Sequence, residues 1–434
     1  MIFAKNLIIL LVKFYLYLII LRNLKKFKKI KIIFVNDKAF GHSVHDSSLV
    51  FQAFQNEVLI LSVGDKMERN KYLKFYFLPF CMIDFKLPSF YKKYKKLNVR
   101  KIVGSRLILE LNKNILIKLI GHQKIEIANR KEIIYKSTVI NLKDQLNIES
   151  LEAKDLIYQL ENKYIESGIQ YHSAAVDINL KLNTKNIFNE SKKMQKADTK
   201  FQNLLQKNYI GNSSGSMKIC TLIIRSENHF KPWAGQGPKA YRASISHLLD
   251  LNYLINIVGD IESNLEFLKT DSVFKETFVY LDLHLNEKMH QILAIKNSQF
   301  CYGDQSGAQS LSHFFNKKTL IINQIPIGNF SYNSTILPRL WKDNDDNLAP
   351  LDVHFNDLFY REKATEISSG EFYSPHVHKE SDILKSVVQF VAELESGKKK
   401  SCKVDWSSFE GAKVARKFVK NSSISPIFFD FFTQ

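Results

Sequence analysis

The sequence predicts an α/β protein of two domains, each built on a parallel sheet, with a cleft between them. Its 434 residues suffice for two or three domains, since a domain usually takes roughly 100–200 residues. Runs typical of strands alternate with segments typical of helices, and this alternation predicts parallel sheets with helices on both faces. We therefore expect a helix at 1–29, an N-terminal domain at 30–205 and a C-terminal domain at 215–434.

The individual elements are predicted from β-branched runs that end in polar or glycine-containing turns. Strands are predicted at 31–36, 58–63, 219–225, 253–258, 278–281, 299–302 and 319–323. Helices are predicted in the C-terminal half at 240–251, 287–294 and 308–315. A polar stretch rich in Lys and Asn at 181–207 is the predicted inter-domain region.

The formal net charge of +19 is concentrated in two segments, and this argues against a nucleic-acid-binding protein. The segments 1–31 and 71–101 together carry 16 of the 19 net charges, and the chain has no helix-turn-helix, C₂H₂ or RNP pattern. The four cysteines lie far apart without a C-x-x-C pair, which argues against a disulfide framework or a thiolate zinc site and favours a reducing compartment.

The first basic segment predicts contact with an anionic membrane. Residues 7–21 are apolar apart from Lys13, and six basic residues follow within 22–31. Fifteen helical residues rise about 22 Å, short of the roughly 30 Å hydrocarbon core, so a helix in the interface is favoured over a spanning one. A spanning helix would also leave the body in the cytoplasm. A buried first helix of the globular domain is the alternative.

The second basic segment, 71–96, interleaves aromatic residues with lysines. Both residue types favour the headgroup region of an anionic bilayer, so a second membrane contact is one interpretation. A core strand through 75–80 followed by a solvated basic helix is the other.

The turn Gly303–Gly307 (GDQSG) is the strongest local signal of a binding site. Gly303 and Gly307 flank the predicted start of a helix, where backbone N–H groups can face an anion, and Ser306 can cap the helix or donate its hydroxyl. The turn therefore predicts a diphosphate cradle. An ordinary strand-to-helix turn is the alternative.

Arg225 follows a predicted strand directly, so its guanidinium could clamp a phosphate at the carboxyl edge of the sheet. Tyr241 and Arg242 open the next helix, after a Gly-rich loop at 231–238 that could close over a ligand. A surface loop with a structural ion pair is the alternative interpretation.

His42, His45 and Asp46 follow the first strand, and a histidine beside a carboxylate is a candidate general base for deprotonating a hydroxyl. A structural loop and a metal site are the alternatives, although no further ligand is identifiable. Asp343 and Asp345 form a D-x-D pattern, but the polar run around them indicates a solvated loop, so no metal ligand is assigned.

These motifs, in this order, resemble those of a family of bacterial glycosyltransferases from surface-polysaccharide clusters, which are similar to the two-domain GT-B superfamily. The resemblance rests on these residues: Gly41-His42, Arg225, Tyr241-Arg242, Val258-Gly259-Asp260, Gly303–Gly307, and Asn323 with Pro326. The resemblance is good over 218–338 and thin before it. Asp304 departs from the family, which has a hydroxyl residue there, and Ala243 stands where the family has Asn.

The resemblance implies a GT-B-like fold of two Rossmann-like domains, with nucleotide sugar bound by the C-terminal domain and the acceptor by the N-terminal one. It implies a metal-independent glycosyltransferase without cofactor, acting on a lipid-linked or nascent surface glycan at the cytoplasmic face of the bacterial inner membrane. Gly259 and Asp260 join the donor contacts. Asp304 would repel a diphosphate unless it points away. A sugar-nucleotide epimerase and an inactive binding scaffold are the alternatives.

Overall fold

The computed structural model describes the protein over thirteen stretches of the chain. They are residues 30–36, 58–63, 81–85, 125–128, 192–209, 218–226, 235–279, 287–324, 333–343, 345–350, 354, 373–398 and 423–432. The chain divides into two compact units, Met1–Ile140 with Leu182–Ala197, and Asn141–Lys181 with Asp198–Gln434.

The first unit contains a four-stranded parallel sheet in the order β3-β2-β1-β4. Its strands are β1 (Ile30–Asn36), β2 (Val58–Val63), β3 (Cys81–Phe85) and β4 (Ile125–Ala128). The first two agree with the strands predicted at 31–36 and 58–63, because both are unbroken β-branched runs. The strand considered at 75–80 lies outside the described residues, and β3 and β4 were not predicted.

The second unit contains a seven-stranded parallel sheet in the order β13-β10-β9-β8-β5-β6-β7. Its strands are β5 (Lys218–Ile224), β6 (Tyr253–Gly259), β7 (Phe278–Val279), β8 (Phe300–Asp304), β9 (Lys318–Gln324), β10 (Ser334–Pro338) and β13 (Ser423–Ile424). In chain order, β5 to β10 are arranged 3-2-1-4-5-6, the order of a Rossmann sheet. The predicted parallel α/β class is confirmed.

Seven α-helices, three short 3-10 helices (Pro238–Tyr241, Glu262–Asn264 and Phe274–Glu276) and an antiparallel strand pair complete the described elements. The helices are α1 (Lys192–Tyr209), α2 (Arg242–Asp250), α3 (Leu265–Thr270), α4 (Glu287–Asn297), α5 (Gln309–Phe314), α6 (Glu380–Ser396) and α7 (Pro426–Asp430). The antiparallel pair is β11 (Leu340–Lys342) with β12 (Ser374–His376).

Helices cover both faces of the seven-stranded sheet. One face packs against α2, α3, α6 and α7 in a single core whose strand residues alternate, as in Cys220, Leu222 and Ile224 of β5. Helices α4 and α5 pack against strands of the sheet and against each other. The sheet is therefore buried on both sides, which explains why its strands are continuous apolar runs.

Helix α1 occupies part of the stretch that the sequence assigned to the inter-domain region. Its buried side chains, Phe201 and Leu205, are one helical turn apart. Phe201 lies edge-on to His290, 5.9 Å away between ring centroids, and Asp198 pairs with Lys296 of α4 at 2.5 Å. These contacts attach the C-terminal part of α1 to α4.

The predicted membrane helix at 1–29 and most of the second basic segment lie outside the described residues. Within the described part of the chain, no helix has the length and apolar character needed to cross a membrane.

Candidate functional site

The candidate site lies where the strand order of the second sheet reverses. Strand β5 is flanked by β6 on one side and by β8 on the other. From β5 the chain continues to β6 and β7 on one side of the sheet, whereas from β8 it continues to β9 and β10 on the other side. In open parallel sheets, ligands bind beyond the carboxyl ends of the strands at such a point. Arg225 follows β5 directly and Asp304 ends β8, so both lie at this edge.

Two glycines allow the neighbouring strands to approach β5 at this edge. A Cβ atom on Gly303 would lie 2.1 Å from the carbonyl oxygen of Ile223, and one on Gly259 would lie 2.1 Å from that of Ile224. Their φ angles, +129° and +111°, are also ones that other residues rarely adopt. Glycine at both positions is therefore required by the backbone of the switch point.

Asp304 is completely buried and binds its neighbours through both carboxylate oxygens. Oδ1 accepts a hydrogen bond from the Tyr241 hydroxyl at 2.7 Å, and Oδ2 accepts one from the backbone N–H of Arg225 at 2.9 Å. Burial raises the pKa of Asp304 from 3.8 to about 7, because removal from water disfavours the charged form, although both hydrogen bonds act in the opposite direction. Asp304 thus points into the protein.

Tyr241 is also fully buried, and its hydroxyl group is engaged by Asp304. Burial and the neighbouring carboxylate raise the pKa of the phenol well above 10, so Tyr241 stays a neutral donor. Its ring lies edge-on to Tyr302, with 6.2 Å between the centroids. The structure therefore places Tyr241 behind the edge of the sheet as a support for Asp304.

Arg242 points away from Tyr241. Its guanidinium lies 3.6 Å from the Asp271 carboxylate and donates to the Ser272 hydroxyl at 3.2 Å. The side chain is half exposed, so this pair contributes little to stability. The structural ion pair considered from the sequence is present at Arg242.

Arg225 is held at its backbone from two directions. Its N–H donates to Asp304, and its carbonyl oxygen accepts from the N–H of Gly237 at 3.2 Å. A Cβ atom on Gly235 would lie 2.4 Å from the Cβ of Arg225, so the loop passes directly over this residue. The described part of the glycine-rich loop is therefore packed against Arg225.

The turn after β8 is held by hydrogen bonds among its own residues. The Ser306 hydroxyl accepts from the N–H of Ala308 at 3.1 Å, and the side-chain oxygen of Gln309 accepts from the N–H of Ser306 at 3.3 Å. The N–H of Gln309 binds the Ser306 carbonyl oxygen at 3.2 Å. The N–H groups of Ser306, Ala308 and Gln309 are therefore bound within the turn, as in an ordinary strand-to-helix turn. The diphosphate cradle at Ser306 and Gly307 remains a prediction.

Gly259 and Asp260 join the same edge from the side of β6. The Asp260 carboxylate accepts a hydrogen bond from the backbone N–H of Ser226 at 3.2 Å, and its own N–H binds the Ile224 carbonyl oxygen at 3.0 Å. Asp260 therefore fixes the residue after Arg225, just as Asp304 fixes Arg225 itself. The two acidic residues hold the C-terminal end of β5 from both neighbouring strands.

Arg339 was not predicted and is the largest fully buried side chain at this edge. It follows β10 directly and is 2% exposed. Burial lowers its pKa to about 10, while the electrostatic influence of Asp304, and then of Tyr241, acts to raise it. The guanidinium in turn lowers the pKa of Asp304. Arg339 therefore brings a buried positive charge to the edge that carries Asp304.

Sequence reasoning missed Arg339 because arginine is seldom fully buried. The available signal was the run Ser334–Pro338, which forms β10 and places the residue after it at the carboxyl edge. His378 is also buried near Arg339, and it donates from Nε2 to the Pro338 carbonyl oxygen at 2.6 Å.

Other residues singled out from the sequence lie outside the described residues or in a separate exposed turn. His42, His45 and Asp46 lie outside the described residues, although β1, which precedes them, is an interior strand flanked by β2 and β4. The Asp343 carboxylate accepts from the N–H groups of Asp345 and Asn347 in an exposed turn, as expected of a solvated loop. Within the described stretches, no cluster of three or more His, Cys, Asp or Glu side chains could hold a metal ion.

No protein-family model matches the sequence, and no curated protein matches it either. Solved structures do match, at low identity. ADP-heptose LPS heptosyltransferase II of E. coli is 13% identical, with 72% of this chain and 90% of that chain covered and a TM-score of 0.38. A glycosyl transferase family 9 protein of Veillonella parvula is 12% identical, with coverages of 84% and 97% and a TM-score of 0.43.

A third match is to an enzyme of a different reaction class. The UDP-GlcNAc 2-epimerase of Neisseria meningitidis, bound to UDP-GlcNAc, is 10% identical, with 70% of this chain and 86% of that chain covered and a TM-score of 0.33. Since every one of these TM-scores is below 0.5, the matches do not decide between the two activities for this chain.

Proposed function

We propose that this protein is a glycosyltransferase that moves a sugar from a nucleotide-sugar donor to a lipid-linked or nascent bacterial surface glycan. The proposal combines the ordered motifs of 218–338 with the geometry of the second unit. The observation that carries it is the position of Arg225 at the switch point of a 3-2-1-4-5-6 parallel sheet, beneath a glycine-rich loop.

The orientation of Asp304 removes the main objection to donor binding at this edge. Its carboxylate oxygens bind Tyr241 and the backbone of Arg225, so the carboxylate does not face outward. Its raised pKa, about 7, also means that it carries only part of a negative charge near neutral pH. Electrostatic repulsion of a diphosphate by this aspartate is therefore small.

In the proposed reaction, Arg225 neutralises the charge that develops on the departing nucleoside diphosphate. Asp304 and Asp260 fix the backbone on either side of its Cα atom. His42 or His45 would accept the proton of the acceptor hydroxyl. We propose no bound metal or cofactor. Arg242 is left out of the donor site because its guanidinium binds Asp271.

The proposed acceptor places the protein at the cytoplasmic face of the bacterial inner membrane. The support is the basic, apolar segment at 1–31 and the aromatic, basic segment at 71–96. Sedimentation with anionic liposomes tests this, with the chain lacking 1–31 as the comparison. If the shortened chain still binds the liposomes in part, both segments contact the membrane. If it no longer binds them, only the segment 1–31 does.

Thermal unfolding with a panel of nucleoside diphosphates, with and without a chelator, tests the donor site. A diphosphate at about 100 times its dissociation constant adds about 2.7 kcal/mol of stability, which is about 5–10 °C in the unfolding midpoint of a domain of this size. Arg225→Ala should lose the shift, and Arg242→Ala is the matched control that should keep it. Loss of the response in chelator would contradict the metal-free proposal.

Product analysis separates transfer from the alternatives. Release of nucleoside diphosphate from a sugar donor in the presence of acceptor supports the glycosyltransferase. Interconversion of the donor sugar without acceptor would identify an epimerase. Binding of a diphosphate without any turnover would identify a scaffold, and absence of any thermal response would overturn the donor site.

A further inference from the structure

Two unsatisfied donor groups lie at the carboxyl ends of β9 and β10, which are two and three strands away from β5 and Arg225. The first belongs to Arg339, whose Nε and Nη2 atoms are buried and have no hydrogen-bond partner among the described residues. In the same part of the chain, no carboxylate lies within ion-pair distance of this guanidinium, and its backbone N–H binds the Gln324 carbonyl oxygen at 3.3 Å. Buried guanidinium N–H groups without an acceptor are costly, and the electrostatic attraction of Asp304 for the Arg339 charge supplies no hydrogen bond to them.

The second donor is the side-chain amide of Asn323, at the end of β9. This residue is 2% exposed and adopts a left-handed φ of 57°, which asparagine tolerates better than most residues. Its Oδ1 atom accepts from the N–H of His378 at 3.5 Å, which leaves Nδ2 as a buried donor without a partner among the described residues.

His378 joins the two strand ends and adds an acceptor. Its Nε2 atom donates to the carbonyl oxygen of Pro338, the residue before Arg339. Burial lowers its pKa to about 4, so the ring is neutral and Nδ1 is a lone-pair acceptor, also buried without a described partner. The side chains at this edge thus present several donors and one neutral acceptor.

We propose that Arg339 and Asn323 form a binding site for an oxyanion, a phosphate or carboxylate group of a ligand, at the carboxyl ends of β9 and β10. A guanidinium offers two parallel N–H groups that match the oxygen pairs of these anions. The ligand would supply the acceptors that Arg339 and Asn323 lack, and Nδ1 of His378 would accept from a hydroxyl group next to the anion. The site does not depend on sugar transfer.

The site differs from the one centred on Arg225 in both residues and depth. Arg225 is partly exposed, whereas Arg339 and Asn323 are each 2% exposed. An oxyanion held by Arg339 would therefore be out of contact with bulk water, where its attraction to the guanidinium is less screened. Slow exchange follows from this burial, so binding should be measured after long equilibration.

Thermal unfolding of the full chain in phosphate, pyrophosphate and acetate, against sodium chloride at equal ionic strength, tests the proposal. We expect a saturable rise in the midpoint with at least one of these anions, and the phosphate and acetate arms distinguish the two ligand classes. Arg339→Met should abolish the rise. Asn323→Gly, which keeps the left-handed backbone, should weaken the apparent affinity at least tenfold. Lys385→Met, at an exposed cation of α6, is the matched control.

A second measurement keeps the test decisive if Arg339→Met unfolds. The ¹⁵N Nε–H signal of Arg339, assigned by its loss in Arg339→Lys, should shift on addition of the active anion. No saturable stabilisation and no Nε shift would mean that only water meets these donors, and would overturn the site. A stabilisation that survives in Arg339→Met would place the anion elsewhere.

The outcomes are separable from those of the donor site. A nucleoside-diphosphate response that is lost in Arg225→Ala but retained in Arg339→Met, with no phosphate or acetate effect, supports the proposed function and overturns the oxyanion site. A phosphate response lost in Arg339→Met, without any nucleoside-diphosphate response, does the reverse.

Discussion

The Tyr241 hydroxyl donates to Oδ1 of Asp304 at 2.7 Å, and both side chains are completely buried. The other oxygen of the same carboxylate binds the backbone N–H of Arg225 at 2.9 Å. One buried acid therefore connects the residue directly before α2 with the residue directly after β5. The position of Arg225 depends on this connection.

Tyr241→Phe should destabilise the second unit by about 1–3 kcal/mol, because it removes one donor from a buried acid while leaving the ring packing intact. The measurement is the urea unfolding midpoint at pH 8, where the ionised form of Asp304 predominates and needs the donor most. The control is Tyr373→Phe, at a partly exposed tyrosine of the same unit. Equal effects of the two substitutions would contradict the assigned role of Tyr241.

Asp304→Asn should change how stability depends on pH. The pKa of Asp304 is about 7 in the folded protein and near 3.8 when unfolded, so between these values the folded state holds a proton that the unfolded state has lost. The contribution of Asp304 to the free energy of unfolding therefore falls as pH rises from about 4 to about 7, by up to about 4 kcal/mol. Relative to the parent, Asp304→Asn should gain stability across this range. Parallel curves for the two proteins would refute this assignment.

The pH dependence of stability in Asp304→Asn must be compared with that of the parent, because two buried histidines make stability change with pH in the opposite direction. Burial lowers the pKa of His290 and of His378 to about 4, so each is neutral when folded. Their contributions are present above about 6.5 and are lost as pH falls to about 4. His378→Phe should therefore flatten the acid side of the stability curve, measured by urea unfolding between pH 4 and pH 7. An unchanged slope would mean that His378 titrates normally.

Much of the second sheet could be predicted because each of its early strands is a continuous apolar run followed by a turn. Strands β5, β6, β8 and β9 lie within a residue or two of the predicted positions. Beyond Asn323 no elements were predicted, although Ile383, Val387, Phe390 and Val391 of α6 carry helical spacing. The alternation of short strands and helices along the chain therefore predicts the fold better than the amino-acid composition does.

The side-chain partners at the site could not be predicted from the sequence. Asp304 and Tyr241 are 63 positions apart, and only the sheet order brings them together. An aspartate in a glycine-rich turn ordinarily indicates an exposed charge, and the burial of Asp304 depends on tertiary packing. The same reason applies to Arg339, whose burial follows from the β10 strand that precedes it.

Gly303→Ala should destabilise the second unit by more than about 2 kcal/mol. The new Cβ atom would lie 2.1 Å from the Ile223 carbonyl oxygen, and the φ of +129° disfavours any side chain. Gly397→Ala is the matched control, since Gly397 also has a positive φ, +67°, but has nothing within 4 Å of the added atom. It should cost about 1 kcal/mol. Comparable unfolding midpoints for the two variants would contradict the close approach of β8 to β5.

Ser306→Ala distinguishes a structural turn from an anion cradle at the turn after β8. The Ser306 hydroxyl accepts from the N–H of Ala308, so its removal should cost about 1 kcal/mol, as for a typical intramolecular hydrogen bond. Ser306→Thr keeps the acceptor and should restore most of that stability. Because the turn uses its own donors, the thermal response to nucleoside diphosphates should be the same in both variants as in the parent. Loss of that response in Ser306→Ala, with its unfolding midpoint unchanged, would return this turn to the donor site.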